Sequence, residues 1–246
     1  MRHIATRARS VRNPNRPFTC TGLGDRIHQL TCAWVLAQDE LVTLHVTGDQ
    51  MTGGQFDNKP ESWQEILALF PGGIVFQAHP NKGLDNATWT RLTGAEIWHY
   101  SDFPGAHEEK TGLDMAPLLR EIPRLWAMPQ DVELPDRFCT VQFDSNDRQR
   151  TVDLDRRQQI LAACEREEIT PVVIGGEAVD NRLRWSLKHI AYALSRAEFH
   201  AGADSAFFHM AQLYMPMSRI YLYIRDGGFL SHHALRAIAN GANRLI

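Results

Sequence analysis

Three stretches of this sequence carry side chains whose types and spacing could do chemistry. In TGLGDRIHQL, Gly22 and Gly24 precede Asp25 at the expected opening of a helix. A carboxylate there is a favoured cap, because it accepts first-turn amide protons; in a ligand site it is equally a base that can take a proton from a hydroxyl. In PVVIGGEAVDN an apolar run ends at Gly175 and Gly176, and Glu177 follows. An acid just past a buried strand can accept hydrogen bonds from ribose hydroxyls, or can be a solvated turn residue. In EFHAGADSAFFHMAQLYMP, Gly202, Asp204 and Ser205 lead into a helix that bears His209 one turn along. Ser and Asp are ordinary caps, yet free amides at a helix start, with a hydroxyl and an imidazole beside them, also describe a site for phosphate oxygens.

Each stretch needs flanking elements to hold it. Short apolar runs alternate with longer amphipathic ones throughout, predicting strands over 17–21, 41–47, 74–78 and 96–100 and helices over 25–38, 61–70 and 115–126 in the first half. The second half predicts strands over 137–143, 170–174, 198–201 and 219–224 and helices over 154–168, 182–196, 205–214 and 230–240. Strands joined by helices imply right-handed crossovers and parallel sheets covered on both faces. The proline-bearing, acidic MPQDVELPD at 128–136 reads as a connection between packed units, separating residues 1–130 from 131–246. The expected fold class is therefore α/β: two Rossmann-like lobes, each a parallel sheet flanked by helices, with a cleft between them. Ligands in such sheets bind beyond the carboxyl ends of the strands, where all three stretches fall.

Composition narrows the partners. A net charge of -3 over 246 residues offers no electrostatic case for nucleic acid. No apolar run approaches the roughly 18 residues a membrane span needs, and no signal-like apolar centre opens the chain, so a cytoplasmic location is expected. Arg2, Arg7, Arg9, Arg12 and Arg16 read as a solvated arm before the first strand, with weak membrane-surface association as the other reading. Cys20, Cys32, Cys139 and Cys164 form no CxxC pair and read as reduced, packed thiols. Trp63, Trp89, Trp98, Tyr100 and Phe103 read mostly as core, and HYSDFPGAHEEKTG at 99–112 as the best candidate for a mobile acceptor-binding loop. No metal is expected: His232 and His233 are helix neighbours that diverge by about 100°, and no ligand cluster lies at a strand end.

The stretches GDRIHQL, GGE and ADSAFFHMAQLYMP resemble the two-lobed GT-B glycosyltransferases, and among them the heptosyltransferase-like family of bacterial lipopolysaccharide assembly. The third is the most specific: the family has Asp, Ser or Thr, Gly, two variable residues, His, and an Ala-rich helix ending near a Pro. The resemblance covers most of the second half and only the opening of the first. It implies an inverting glycosyltransferase of hexosyl or heptosyl type, without metal or cofactor, in which a nucleotide-diphosphate sugar is the co-substrate. The acceptor is a hydroxyl on a glycan, lipid-linked or small molecule. Asp25 then matches the catalytic base, Glu177 the ribose-binding acid, and Asp204, Ser205 and His209 the loop holding the donor's phosphates and sugar. A basic residue after the second lobe's first strand is implied to meet the diphosphate, with Arg148 the first match and Arg150 the second. Ala206 departs from the family's usual Gly, Arg148 stands where Lys is frequent, and the chain is short. Two other readings stay open: a sugar-nucleotide epimerase of the same two-lobed fold, needing further carboxylates such as Asp49 or Asp102, and a non-catalytic protein that binds nucleotide sugars.

Overall fold

A computed structural model of the chain describes residues 1–6, 23–46, 60–80, 84–98, 112–113, 122–145, 149–175, 185–225 and 232–245. Two compact units emerge, Met1–Pro123 and Arg124–Ile246. The chain therefore divides after Pro123 rather than near 130. Leu125 and Ala127 are buried, and the Leu125 amide donates to the Leu213 carbonyl at 2.7 Å, which ties the proline-bearing connection to the second unit.

The first unit is a parallel sheet in the order β3-β2-β1-β4-β5. Its strands are β1 (Arg2–Thr6), β2 (Val42–Val46), β3 (Ile74–Ala78), β4 (Glu96–Trp98) and β5 (Gly112–Leu113). The solvated-arm expectation fails at its start: Arg2–Thr6 is the central strand, with Ile4 and Ala5 fully buried. Arg2 escapes burial at the strand's amino end by pairing with Glu40 at 2.8 Å, so its charge says nothing about the residues that follow. The strand expected over 17–21 lies outside the described residues.

Helix α1 (Leu23–Leu36) begins two residues before the expected start, so Asp25 and Gly24 sit inside its first turn and Asp25 is not the cap. Its buried Ile27, Leu30 and Ala33 recur at helical spacing. Helix α2 (Pro60–Leu67) opens on proline, whose missing N–H costs nothing in a first turn. Helix α3 (Asn86–Thr93) was not expected, although its sequence signals both ends. Asp85 accepts from the Thr88 amide, and Gly94 closes the helix in the left-handed region at φ 64°. Residues 122–126, expected at the end of a helix, are not helical. Trp63 and Trp89 are core, as expected of most of the aromatics singled out in the sequence.

The second unit is a parallel sheet in the order β10-β9-β8-β6-β7. In chain order it runs β6 (Phe138–Gln142), α4 (Leu154–Arg166), β7 (Thr170–Val173), α5 (Leu187–Arg196), β8 (His200–Ala203) and α6 (Ala206–Tyr214). A 3-10 turn (Met217–Arg219), β9 (Ile220–Tyr223), α7 (His232–Ala239) and the unexpected β10 (Asn243–Leu245) complete it. Every residue of β6 and β8 is buried, as parallel strands covered on both faces require. Strand β8 runs two residues further than expected, which puts Gly202 inside the strand rather than in the loop. Helix α5 starts at Leu187, five residues after 182, where Ser186 caps it by accepting from the His189 amide. Cys139 on β6 meets Cys164 on α4 with 3.5 Å between sulfurs, two buried thiols with no disulfide between them; Cys32 is likewise buried.

The decisive feature is the strand order. The winding goes one way from β6 to β7 and the other way from β6 to β8, β9 and β10, so direction reverses between β6 and β8. In a doubly wound sheet the loops leaving two such strands diverge to opposite faces and open a crevice at the carboxyl ends.

Candidate functional site at the carboxyl ends of β6 and β8

Gln142 and Gly202 face each other across the two strands at that reversal. A Cβ on Gly202 would lie 2.2 Å from the Gln142 carbonyl oxygen, so only glycine allows this approach. Just past β7, Gly175 has φ +71°, and a Cβ there would strike the Phe207 ring at 2.5 Å. Two glycines read from the sequence thus let α6 and its entry loop close over the ends of β6 and β7.

Asp204 and Ser205 link β8 to α6. Ser205 is the N-cap residue in extended conformation, yet its side chain makes no bond to the helix. It donates instead to Oε1 of Gln142. The Gln142 amide is oriented from its other side, where Nε2 donates to the Asp144 carbonyl at 3.1 Å. Among the helices whose caps are described, α3, α4 and α5 each have a side chain on a first-turn amide, from Asp85, Asp153 and Ser186. Helix α6 has none, and no acid lies in its first turn. Its opening backbone bond, His209 N to Ser205 O, is 3.4 Å, against 2.9 Å for Trp89 to Asp85 and Arg157 to Asp153. The positive end of the α6 dipole is therefore left, among the described residues, with first-turn amides that no side-chain cap occupies.

A cation stands next to it. The half-buried Arg150 directs Nη1 at the Asp204 carbonyl, 3.5 Å away. The loop carrying it is anchored where Thr151 bonds both the amide and carbonyl of Ser145 at 3.2 Å, and where Arg157 pairs with Asp144 at 2.5 Å. Asp204 and His209 are buried, at 5% and 8% exposure. The arrangement gathers amide donors and a guanidinium at one point, which is chemistry for a multiply charged anion.

Of the residues singled out in the sequence, Gly175, Gly202, Asp204, Ser205 and His209 come together here, with Ala206 as the first residue of α6. Arg148, Glu177, Gly22 and Gly176 lie outside the described residues, as do Asp49, Asp102 and nearly all of the loop at 99–112. Asp25 and Gly24 are on α1 of the first unit. Gln142 and Asp144 were missed, and Arg150 was the second choice. The only signal for Gln142 was a polar residue closing the buried run FCTV.

A second polar cluster, also unforeseen, lies in the first unit. His3 Nδ1 meets His45 Nε2 at 3.0 Å, and His45 Nδ1 meets His79 Nε2 at 2.8 Å, across β1, β2 and the end of β3. Burial and its two imidazole neighbours push the His45 pKa down to about 4. His45 uses opposite ring nitrogens for its two partners, so the three rings do not converge on one point. Among the described residues, no group of three or more His, Cys, Asp or Glu could hold a metal ion, and no helix is long and apolar enough to cross a membrane.

The sequence matches no family model and no curated protein. Solved structures do match. The chain aligns over its full length with 90% of E. coli ADP-heptose LPS heptosyltransferase II, at a TM-score of 0.53 and 10% identity. It also aligns over 94% of its length with TibC of enterotoxigenic E. coli, described as an iron-containing dodecameric glycosyltransferase, at a TM-score of 0.51 and 12% identity. The chain has a heptosyltransferase-like GT-B fold. It spans 61% of the length of TibC. Iron and dodecameric assembly are properties of TibC, and the described residues of this chain contain no cluster suited to such a metal.

Proposed function

We propose that the chain is a glycosyltransferase that takes its sugar from a nucleotide-diphosphate donor. The observation that carries this is the uncapped start of α6, beside Arg150, at the winding reversal of the second sheet in a heptosyltransferase-like fold. Transfer from such a donor releases a nucleoside diphosphate, and negative charge grows on its terminal phosphate as the bond to the sugar breaks. Amides fixed at a helix start and a guanidinium meet that charge without reorganising, which favours the transition state over the bound donor.

Asp25, in the first turn of α1, is the proposed base. It takes the acceptor's hydroxyl proton as that oxygen attacks the anomeric carbon from the face opposite the diphosphate, inverting the centre. Glu177 is proposed to accept the ribose hydroxyls, Arg148 to share the diphosphate with Arg150, and His209 to contact the donor from α6. Gly22, Gly24 and Gly176 are assigned to close backbone approach. No metal or cofactor has a role in the proposed transfer, which runs in the cytoplasm on a hexosyl or heptosyl donor.

A thermal-shift series with ADP, GDP, UDP and their sugar conjugates tests the donor site. ADP heads the series because the heptosyltransferase II neighbour is named for an ADP-linked sugar. A ligand at a hundredfold excess over its Kd should add about 2.7 kcal/mol of stability. If no nucleotide raises the melting temperature, the proposal is wrong. Asp25→Asn should abolish transfer and leave the donor-induced shift intact, and EDTA should leave the rate unchanged.

A further inference from the structure

We infer that Gln142 is a positioning residue whose side-chain carbonyl keeps the Ser205 hydroxyl off α6, so that the first-turn amides stay open for a nucleoside diphosphate. This rests on the donor-site proposal above and adds to it a residue that binds nothing itself.

A serine preceding a helix bonds a first-turn amide when its backbone is extended and its hydroxyl is free. Ser205 meets the first condition, with φ -149° and ψ -172°. Ser186, also extended, accepts from the His189 amide at 3.4 Å at the start of α5. Two things differ at Ser205: its φ is -149° against -64° at Ser186, and Gln142 on β6 accepts the hydrogen bond from its hydroxyl, which holds the side chain toward the strand. Gln142 cannot turn that acceptor away, because its Nε2 is committed to the Asp144 carbonyl and Asp144 is itself held by Arg157. The Gly202 backbone packs against the main chain of Gln142, which fixes where the side chain starts.

The alternative is that Gln142 only satisfies buried polar groups. The two roles predict opposite behaviour on its removal. A purely structural glutamine leaves Ser205 unpaired when replaced, which loosens the loop and α6 together. A positioning glutamine releases Ser205 to cap α6, which tightens the helix while its amides become occupied.

Gln142→Met, close in length and without hydrogen-bonding groups, separates them, and Gln142→Asn, one methylene too short to reach Ser205, repeats the experiment with a polar side chain. Hydrogen exchange at the amides of 206–208 should slow in both variants. The Kd for whichever of ADP, GDP or UDP stabilises the wild type should rise roughly tenfold, a modest share of a charge-assisted site. In a Ser205→Gly background, which has no hydroxyl to release, Gln142→Met should have no further effect on binding. Faster exchange in the first turn, unchanged affinity, or the same loss of affinity in both backgrounds would overturn the inference. Should the wild type bind no nucleotide, the donor-site proposal falls on its own; the exchange measurement still decides whether Gln142 withholds Ser205.

Discussion

His45, in the first unit, is a residue whose burial makes protonation costly to the fold. Its imidazole is buried between His3 and His79, and protonating it places a charge among two rings that must then both accept. His200, fully buried on β8 and bonded through Nδ1 to Thr140 Oγ1 at 3.0 Å, has its pKa pushed down to about 4 by the same desolvation. Both groups have folded pKa values below the ordinary 6.5, so as pH falls the unfolded chain takes up protons first. The stability they contribute is complete above pH 6.5, declines below it, and is gone once pH has passed about 4. Urea unfolding at pH 7 and pH 5 should show the loss, about 2 kcal/mol of it from His200. His200→Gln should flatten that pH dependence; an unchanged slope would show that His200 does not titrate with folding. Residues of this kind divide cleanly by readability. Asp204, Ser205 and His209 could be found because they follow a buried strand in one unbroken stretch. Gln142 bonds a residue 63 positions away, and the three histidines lie on β1, on β2 and just past β3, so no local pattern marks either.

Among the elements, β8 constrains substitution most. Gly202→Ala would press a methyl into the Gln142 backbone of the neighbouring central strand, and neither strand can yield without breaking ladder bonds on its far side. A loss of about 3 kcal/mol or more is expected from chemical denaturation. Gly202→Ala should therefore cost far more than an alanine in a loop with open space, and a cost below about 1 kcal/mol would mean that the strands separate more easily than their register implies. Elements were readable where the apolar period was long. β3 was predicted at its observed bounds, and α4 and α6 within a turn. β1 was lost because Arg2 masked a strand with only two core residues, Ile4 and Ala5. β5 has just two residues, too few to show any period.

At the scale of the molecule, each unit has its own sheet and core, and among the described residues no strand crosses from one sheet to the other. Residues 124–246 expressed alone should fold cooperatively and, on the proposed function, bind the same nucleoside diphosphate as the full chain within a few-fold. An aggregated or non-cooperative fragment would show that the second sheet depends on the first. The α/β class and the parallel sheets could be read from the alternation of strands and helices, since that alternation leaves few other ways to bury both faces. Strand order could not, because nothing local in HAGA of β8 or IYLY of β9 says which lies beside β6, and only tertiary packing decides it. That order also bears on how the protein is made. While a ribosome extends the chain, β6 and β7 can pair as soon as α4 has formed, but the other edge of β6 stays open until β8 emerges. At about 5 to 20 residues per second, a buried apolar strand edge is exposed for several seconds, the interval in which a nascent chain is most prone to pair with a neighbour.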